Sequence, residues 1–167
     1  MSTYERVAEL PVEIESWSME GLGIKPAPDF ERLTTTIKVQ GGGFEGLGED
    51  ITYEALDQIA LQDAGPVHDF TGVKTIGEFC DLIGSLDLFP VEPEGKASRF
   101  YRRWAFESAA LDLALWQAGT SLARYLGREL QALNFVASMG LTGGPGGTES
   151  DVGRLRIKLD RYPDLKF

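Results

Sequence analysis

One stretch, Arg99 to Gly119, constrains the fold most, because its apolar residues recur at the spacing of an α-helix. One stripe along this helix contains Phe100, Trp104, Glu107, Leu111 and Leu115. A second apolar side contains Phe106, Ala109, Ala110, Leu113 and Ala114. A helix that is apolar around most of its circumference is usually buried in protein. We therefore predict a central core helix, capped at its start by Ser98 and ended by Gly119.

Composition excludes several classes of partner. The chain has 167 residues, 43% of them hydrophobic, and its 26 acidic and 16 basic residues give a formal net charge of −10. Binding to a phosphate backbone needs a basic face, so we expect no nucleic-acid partner. No apolar run approaches the ~18 residues of a membrane span, and no secretion signal is evident. We expect no membrane partner and a cytoplasmic protein, with the single Cys80 as a buried thiol.

The N-terminal part predicts a sheet. After a frayed lead-in over Met1–Leu10, period-two alternation predicts three antiparallel strands, at Val12–Trp17, Phe30–Gln40 and Phe44–Glu49. A loop, Ser18–Asp29, joins the first two strands, and a turn at Gly41–Gly43 joins the last two. Gly41, Gly43 and Gly46 formally match a dinucleotide-binding pattern. That pattern needs a helix after it, whereas here a strand follows, so a hairpin turn is favoured.

Two helices are expected between the sheet and the central helix. The first runs from about Tyr53 to Ala64 with Thr52 as its cap, and its inward residues are Leu56, Ile59 and Ala60. A loop follows over Gly65–Lys74. The second helix runs from Thr75, its cap, to about Leu86, and its inward residues are Ile76, Phe79, Cys80 and Ile83.

The pattern changes after residue 130. Leu133–Ser138 is a compact apolar run, as expected of a buried parallel strand. A glycine-rich loop, a helix to about Arg161 and a second strand beginning at Asp164 follow, which makes a βαβ unit. One such unit cannot bury both of its faces. We therefore predict two domains, 1–130 and 131–167, and expect the second to be truncated at Phe167.

The residues alone do not assemble a complete active site. His68 is the only histidine and lies in a loop, where a solvent-facing role is favoured over catalysis. Glu107 and Asp112 lie in apolar surroundings on the central helix, and we expect them to form structural hydrogen bonds or ion pairs with Arg102 or Arg103. Ser138 ends a predicted strand. If that strand belongs to a barrel, the Ser138 hydroxyl lies on the face where barrels bind substrates.

Taken in order, these elements resemble the mandelate racemase and muconate lactonizing enzyme branch of the enolase superfamily. The meander closes on Gly46-Leu47-Gly48-Glu49, similar to the GxGE strand of that family. Glu107 to Trp116, ESAALDLALW, resembles its A-x-x-A-L-D-x-A-L-W signature. Gly119 and the Leu126-Gly127 pair follow, as they do in the family before its barrel begins. The resemblance covers most of the chain.

The resemblance implies an α+β capping domain, a three-stranded meander followed by a helical bundle, over the open end of a (β/α) barrel. The barrel of such enzymes holds Mg²⁺ and removes a proton from the carbon next to a carboxylate. The parent protein would then be an isomerase or lyase acting on a small carboxylate, by racemisation, epimerisation, cycloisomerisation or dehydration. It would commonly form a homo-oligomer. The Mg²⁺ ligands would lie beyond this chain, which would be inactive alone.

The resemblance also implies roles for particular residues. A first specificity loop would contain Met19, Glu20, Gly21, Leu22 and Ile24, and a second would contain Asp50, Ile51 and Tyr53. Both would close over the substrate and exclude water from it. Lys166 would be the first lysine of the K-x-K base motif of the family. The alternative is a free-standing α+β binding or interaction domain without catalysis, in which residues 133–167 fold back onto the core and Lys166 is a surface residue.

Overall fold

The structure is a computed structural model that describes residues 2–27, 30–133 and 152–162. The chain divides into two compact units, Met1–Arg128 and Glu129–Phe167. The elements in chain order are α1 (Thr3–Val7), β1 (Pro11–Ile14), β2 (Ser16–Ala27), β3 (Phe30–Gly41), β4 (Phe44–Asp50), α2 (Ala55–Ala64), β5 (Gly72–Thr75), α3 (Ile76–Ser85), α4 (Ser98–Gln117), α5 (Leu122–Tyr125) and α6 (Val152–Arg161). No helix in these ranges is long and apolar enough to cross a membrane.

The predicted α+β class and the three-stranded antiparallel sheet are confirmed. The strand order is β2-β3-β4. Gly42 and Gly43 form the expected turn between β3 and β4, with φ angles of 59° and 80° that favour glycine. The first strand of the sheet was predicted wrongly, because Val12–Trp17 is divided between β1 and β2.

The loop predicted over Ser18–Asp29 is also wrong, since most of that segment is strand. Residues from Ser16 to Ala27 pair with β3, with an irregularity between Ile24 and Ala27. The backbone N–H and C=O groups of β3 offer hydrogen-bond partners along its whole length. Pairing with it outweighs the low strand propensity of Gly21 and Gly23. The two strands therefore form a long hairpin rather than a loop followed by a strand.

Two more predicted loops contain regular secondary structure. The loop predicted over Gly65–Lys74 contains β5, which pairs antiparallel with β1 in a separate two-stranded sheet. The lead-in expected to be frayed contains α1. Ser2 and Glu5 form a capping box at the start of that helix, and Val7 anchors it in the core. Local capping and one buried side chain stabilise a segment too short to show periodicity.

Helix α2 presents a different face to the sheet from the one predicted. Leu56 and Ile59 are 66% and 42% exposed, whereas Asp57, Gln58 and Leu61 are buried. Gln58 explains this orientation. Its Oε1 accepts a hydrogen bond from Thr35 Oγ1 at 2.6 Å, and its Nε2 donates to the backbone oxygen of Asp50, at the end of β4, and to that of Thr52 just after it. A buried amide with these partners is satisfied, which apolar periodicity does not reveal.

The beginning of α2 also differs. Thr52 does not cap the helix, because its Oγ1 donates to Asp50 Oδ1 at 2.6 Å, and the helix starts later, after Glu54. The prediction for α3 is confirmed: Thr75 and Glu78 form its capping box. The inward residues expected for α3 are all buried, namely Ile76, Phe79, Cys80 and Ile83.

Helix α4 is the central helix that the sequence predicted. It buries Phe106, Leu113 and the small residues Ala105, Ala109, Ala110 and Ala114. Gly119 follows it with a φ angle of 61°, as expected. The prediction that Ser98 caps this helix is wrong, because Ser98 is its first helical residue and Ala97 lies at the cap position without a side-chain hydrogen bond.

One side of α4 is open to solvent in the described structure, contrary to the expectation of burial on most sides. Phe100 and Trp104 are 73% and 59% exposed. The helix packs mainly against β4, β3 and α3, which cover only part of its circumference. Phe100 and Trp104 lie on the remaining side, whereas Leu115 of the same predicted stripe is buried.

The contact between α4 and β4 depends on two glycines. A Cβ atom at Gly46 would overlap backbone atoms of Ala109 and Leu113, and one at Gly48 would overlap the carbonyl oxygen of Ala105. The helix backbone therefore lies directly on the strand. Asp112 adds a hydrogen bond across this contact, because its Oδ2 accepts from the N–H of Leu47 at 3.0 Å.

We predict that Gly48→Ala lowers the free energy of unfolding by about 3 kcal/mol, because the new methyl group must push a rigid helix backbone away from the strand. Urea denaturation measures this loss. Gly23→Ala is the matched control in the same sheet, since its Cβ would meet only the ends of the Leu33 and Glu31 side chains. Equal losses in the two variants would contradict the close-approach explanation.

Candidate functional site

The first group of predicted site residues lies on a strand and not on a loop. Met19, Glu20, Gly21, Leu22 and Ile24 all belong to β2. Their side chains alternate between the two faces of the sheet. Met19 is paired with Ile37 and packs against the hydrophobic core; that it shields a substrate from water stays a prediction. Leu22 and Ile24 are 44% and 65% exposed on the other face.

Gly21 faces α2. A Cβ atom at this position would overlap the side chain of Gln62, whose Nε2 donates to Thr35 Oγ1 at 2.9 Å. The absence of a side chain at Gly21 thus lets α2 lie close to the hairpin. Substrate binding by Gly21 stays a prediction, whereas this packing role is visible in the structure.

Glu20 lies on the outer face of the hairpin and forms an ion pair with Lys38 at 2.5 Å. The hydrogen bond and charge of Lys38 hold the pKa of the Glu20 carboxyl below its usual value. Both groups are accessible to solvent, where an isolated pair contributes little to stability. The pair fixes a negative and a positive group on the same exposed face as Leu22 and Ile24.

The second group of predicted residues begins with a buried ion pair. Asp50 Oδ2 accepts a hydrogen bond from Arg102 Nε at 2.7 Å, and both side chains are fully buried. Asp50 Oδ1 accepts hydrogen bonds from the backbone N–H and the hydroxyl of Thr52. Contact between Asp50 and a substrate stays a prediction. In the structure this side chain determines how the chain turns from β4 toward α2.

Arg102 joins four parts of the first unit. Besides Asp50, its guanidinium donates to the carbonyl oxygen of Asp57 at 2.9 Å and to that of Leu88 at 3.2 Å. The ring of Phe89 lies 3.6 Å from the guanidinium carbon. Burial lowers the pKa of Arg102, and the carboxylate of Asp50 opposes this shift. A buried charge without such a partner would be strongly destabilising.

Arg32 brings the two predicted groups together. Its Nη2 donates to the carbonyl oxygen of Ile51 at 2.5 Å and its Nη1 to that of Tyr53 at 3.2 Å. Its guanidinium carbon also lies 4.8 Å from the centre of the Tyr53 ring. Ile24 is the cross-strand partner of Arg32. We call this set, Ile24, Arg32, Ile51 and Tyr53, the Arg32 surface.

Sequence reasoning did not identify Arg32. Its only signal is a cationic side chain on the outer face of a strand, next to the end of the hairpin. Such a residue is usually a solvated surface charge. The hydrogen bonds to residues 51 and 53 join positions about 20 apart in sequence, and alternation within one strand carries no information about them.

The other polar candidates have structural roles. Glu107 pairs with Arg103 at 2.6 Å, in agreement with the expectation for α4. Cys80 is a buried thiol, as predicted. Burial and the neighbouring Glu107 raise its pKa to about 12, so it carries no thiolate near neutral pH and is not a nucleophile there.

No cluster of three or more histidine, cysteine, aspartate or glutamate side chains within residues 2–27, 30–133 and 152–162 could hold a metal ion. Ser138 and Lys166 lie outside the described residues, as do most of the predicted strand Leu133–Ser138 and the predicted second strand. Of the predicted βαβ unit, the helix, α6, lies within the residues that the structure describes.

Comparison with known proteins gives one family. The family model described as "Domain of unknown function (DUF8230) N-terminal domain" matches residues 5–125, which is more than half of the chain. The match begins within α1 and ends with α5, so it includes the meander, α4 and the Arg32 surface. No curated protein and no solved structure matches the chain.

We predict that Arg32→Met speeds hydrogen exchange of backbone amides in residues 51–54 by about tenfold, because charged hydrogen bonds to two carbonyl groups are lost. Global stability should change little, since Arg32 is only partly buried. Lys38→Met is the control, because it removes an exposed ion pair from the same strand. Faster exchange of residues 51–54 in both variants, or in neither, would contradict the anchoring role of Arg32.

Proposed function

The chain belongs to the DUF8230 N-terminal domain family, and we propose that its first unit covers and selects the substrate of a Mg²⁺-dependent enzyme of the mandelate racemase and muconate lactonizing branch of the enolase superfamily. The substrate is a small carboxylate that loses a proton from the carbon next to its carboxyl group. The reaction is a racemisation, epimerisation, cycloisomerisation or dehydration, so the enzyme is an isomerase or a lyase.

The Arg32 surface is the observation that carries this proposal. It combines the hairpin and the segment after β4, the two parts of the chain for which the resemblance implies substrate selection. Ile24 and Tyr53 are 65% and 62% exposed on it, although the backbone of Ile24 is paired with β3 and that of Tyr53 accepts a hydrogen bond from Arg32. Exposed apolar side chains on a fixed backbone are suited to cover a substrate and exclude water from it.

We assign a separate role to each of these residues. Ile24, Tyr53 and the neighbouring Leu22 exclude water, while the buried Asp50–Arg102 pair fixes the backbone from which Tyr53 projects. The proposal assigns the Ser138 hydroxyl to a hydrogen bond with the substrate and the Lys166 amine to holding or moving a proton. Bound Mg²⁺ supplies Lewis-acid stabilisation of the negative charge that develops on the substrate. Its ligands are proposed to lie outside the described residues.

The cellular setting forms part of the same proposal. We place the protein in the cytoplasm as a homo-oligomer without membrane or nucleic-acid partners. The excess of acidic over basic residues, 26 against 16, supports the exclusion of nucleic acid because a phosphate backbone requires a basic face.

The direct test follows exchange of the α-proton. The full-length protein is incubated in D₂O with Mg²⁺ and a panel of small carboxylates, and loss of the α-proton signal is followed by NMR. We expect Mg²⁺-dependent exchange with at least one carboxylate. Ile24→Ser and Tyr53→Ser should each lower kcat/KM by about tenfold, since each removes apolar contact with the substrate.

Val73→Ser is the matched control, because Val73 is 71% exposed but lies on β5, outside the Arg32 surface. Its kcat/KM should equal that of the wild type. Exchange with no carboxylate would reject the enzyme and favour a free-standing α+β binding domain. Exchange that is insensitive to Ile24→Ser and Tyr53→Ser would reject the role of the Arg32 surface while retaining the enzyme.

A further inference from the structure

A concave site that contains no residue of the Arg32 surface lies within the first unit. A pocket of about 270 Å³ opens between the C-terminal half of α2, the loops around residues 65–68 and 87–90, the start of β2, and α4. Trp17 lines this pocket and Ile24 belongs to the Arg32 surface. They are seven residues apart on one extended strand, which places them about 23 Å apart. The pocket is therefore separate from the proposed capping site.

Aromatic rings form much of the pocket wall. Trp17, Phe89 and Phe106 all line it, and the Trp17 and Phe106 rings pack edge to face with centroids 5.4 Å apart. Two of these rings are held in place by further contacts. Trp17 Nε1 donates to the carbonyl oxygen of His68 at 2.7 Å, and Phe89 stacks on the buried Arg102. The apolar wall is thus pre-formed, which lowers the entropic cost of binding.

The polar groups at this pocket are few. His68 and Asp87 are the lining residues with ionisable side chains. Asp87 Oδ1 already accepts from Arg99 Nη1 at 2.9 Å and from the backbone N–H of Phe89 at 3.2 Å. Its charge is therefore compensated. Apart from these two residues the lining is apolar or glycine, so an ionic ligand would exchange its hydration mainly for apolar contacts, which is costly.

We propose that this pocket binds a small uncharged molecule that carries one aromatic ring and one hydrogen-bonding group. The ring packs edge to face among Trp17, Phe89 and Phe106, an arrangement that aromatic groups favour. The hydrogen-bonding group faces His68 and Asp87. The volume lies near the lower end of the range for small-molecule sites, ~300–1,000 Å³, which limits the ligand to a single ring. This inference does not depend on the proposed capping function.

The test uses two probes of similar size. 4-Fluorophenol is neutral at pH 7, whereas 4-fluorobenzoate is an anion, and binding of each is followed by fluorine NMR and by the Trp17 indole N–H signal. We expect saturable binding of 4-fluorophenol with a shift of the Trp17 signal. Binding of 4-fluorobenzoate should be at least roughly tenfold weaker, because its charge loses hydration.

Two variants test the location. Ala64→Phe places a ring in the pocket from an exposed helical position, and Val67→Asp places a charge at its wall. Both should abolish saturable binding of 4-fluorophenol. Val91→Asp is the control, since Val91 and Val67 are both loop residues, 57% and 67% exposed, and only Val67 lines the pocket. The proposal is overturned if 4-fluorophenol shows no saturable binding, if Ala64→Phe and Val67→Asp leave its binding intact, or if 4-fluorobenzoate binds equally well.

Discussion

The guanidinium group of Arg102 is the interaction on which the arrangement of the first unit depends most. From the second turn of α4 it contacts the end of β4 through Asp50, the first turn of α2 through Asp57, and the loop that carries Leu88 and Phe89. Ile51 and Tyr53 of the Arg32 surface directly follow Asp50, and Phe89 lines the pocket beside Trp17. Both proposed sites therefore rest on the same buried charge, whose partners must all be present for it to be tolerated.

Much of the fold could be predicted because local patterns determine it. The alternation of β3, the glycine turn, the capping box of α3 and the apolar face of α4 are properties of short segments. The errors occurred where residues distant in sequence determine the local structure. The segment after Ser16 is a strand because β3 pairs with it, and α2 turns a polar face inward because Gln58 finds partners on β3 and β4.

The candidate site was predicted less completely than the fold. The resemblance directed attention to the hairpin and to residues 50–53, and the structure connects these two segments through Arg32. The resemblance does not predict the role of Arg32 or the burial of Asp50. Both depend on side-chain contacts between elements far apart in sequence. Gly46 and Gly48 of β4, in contrast, could be recognised from the sequence. Their sequence signature has a direct physical reason, the close approach of α4.

A double-mutant cycle on Asp50 and Arg102 tests the central claim most directly. The free energy of unfolding is measured for the wild type, Asp50→Asn, Arg102→Met and the double variant. We predict that each single variant loses about 3 kcal/mol or more, because each leaves a buried group without its partner. The double variant should lose clearly less than the sum of the two. Strictly additive losses would show that the two side chains act independently and would contradict the account.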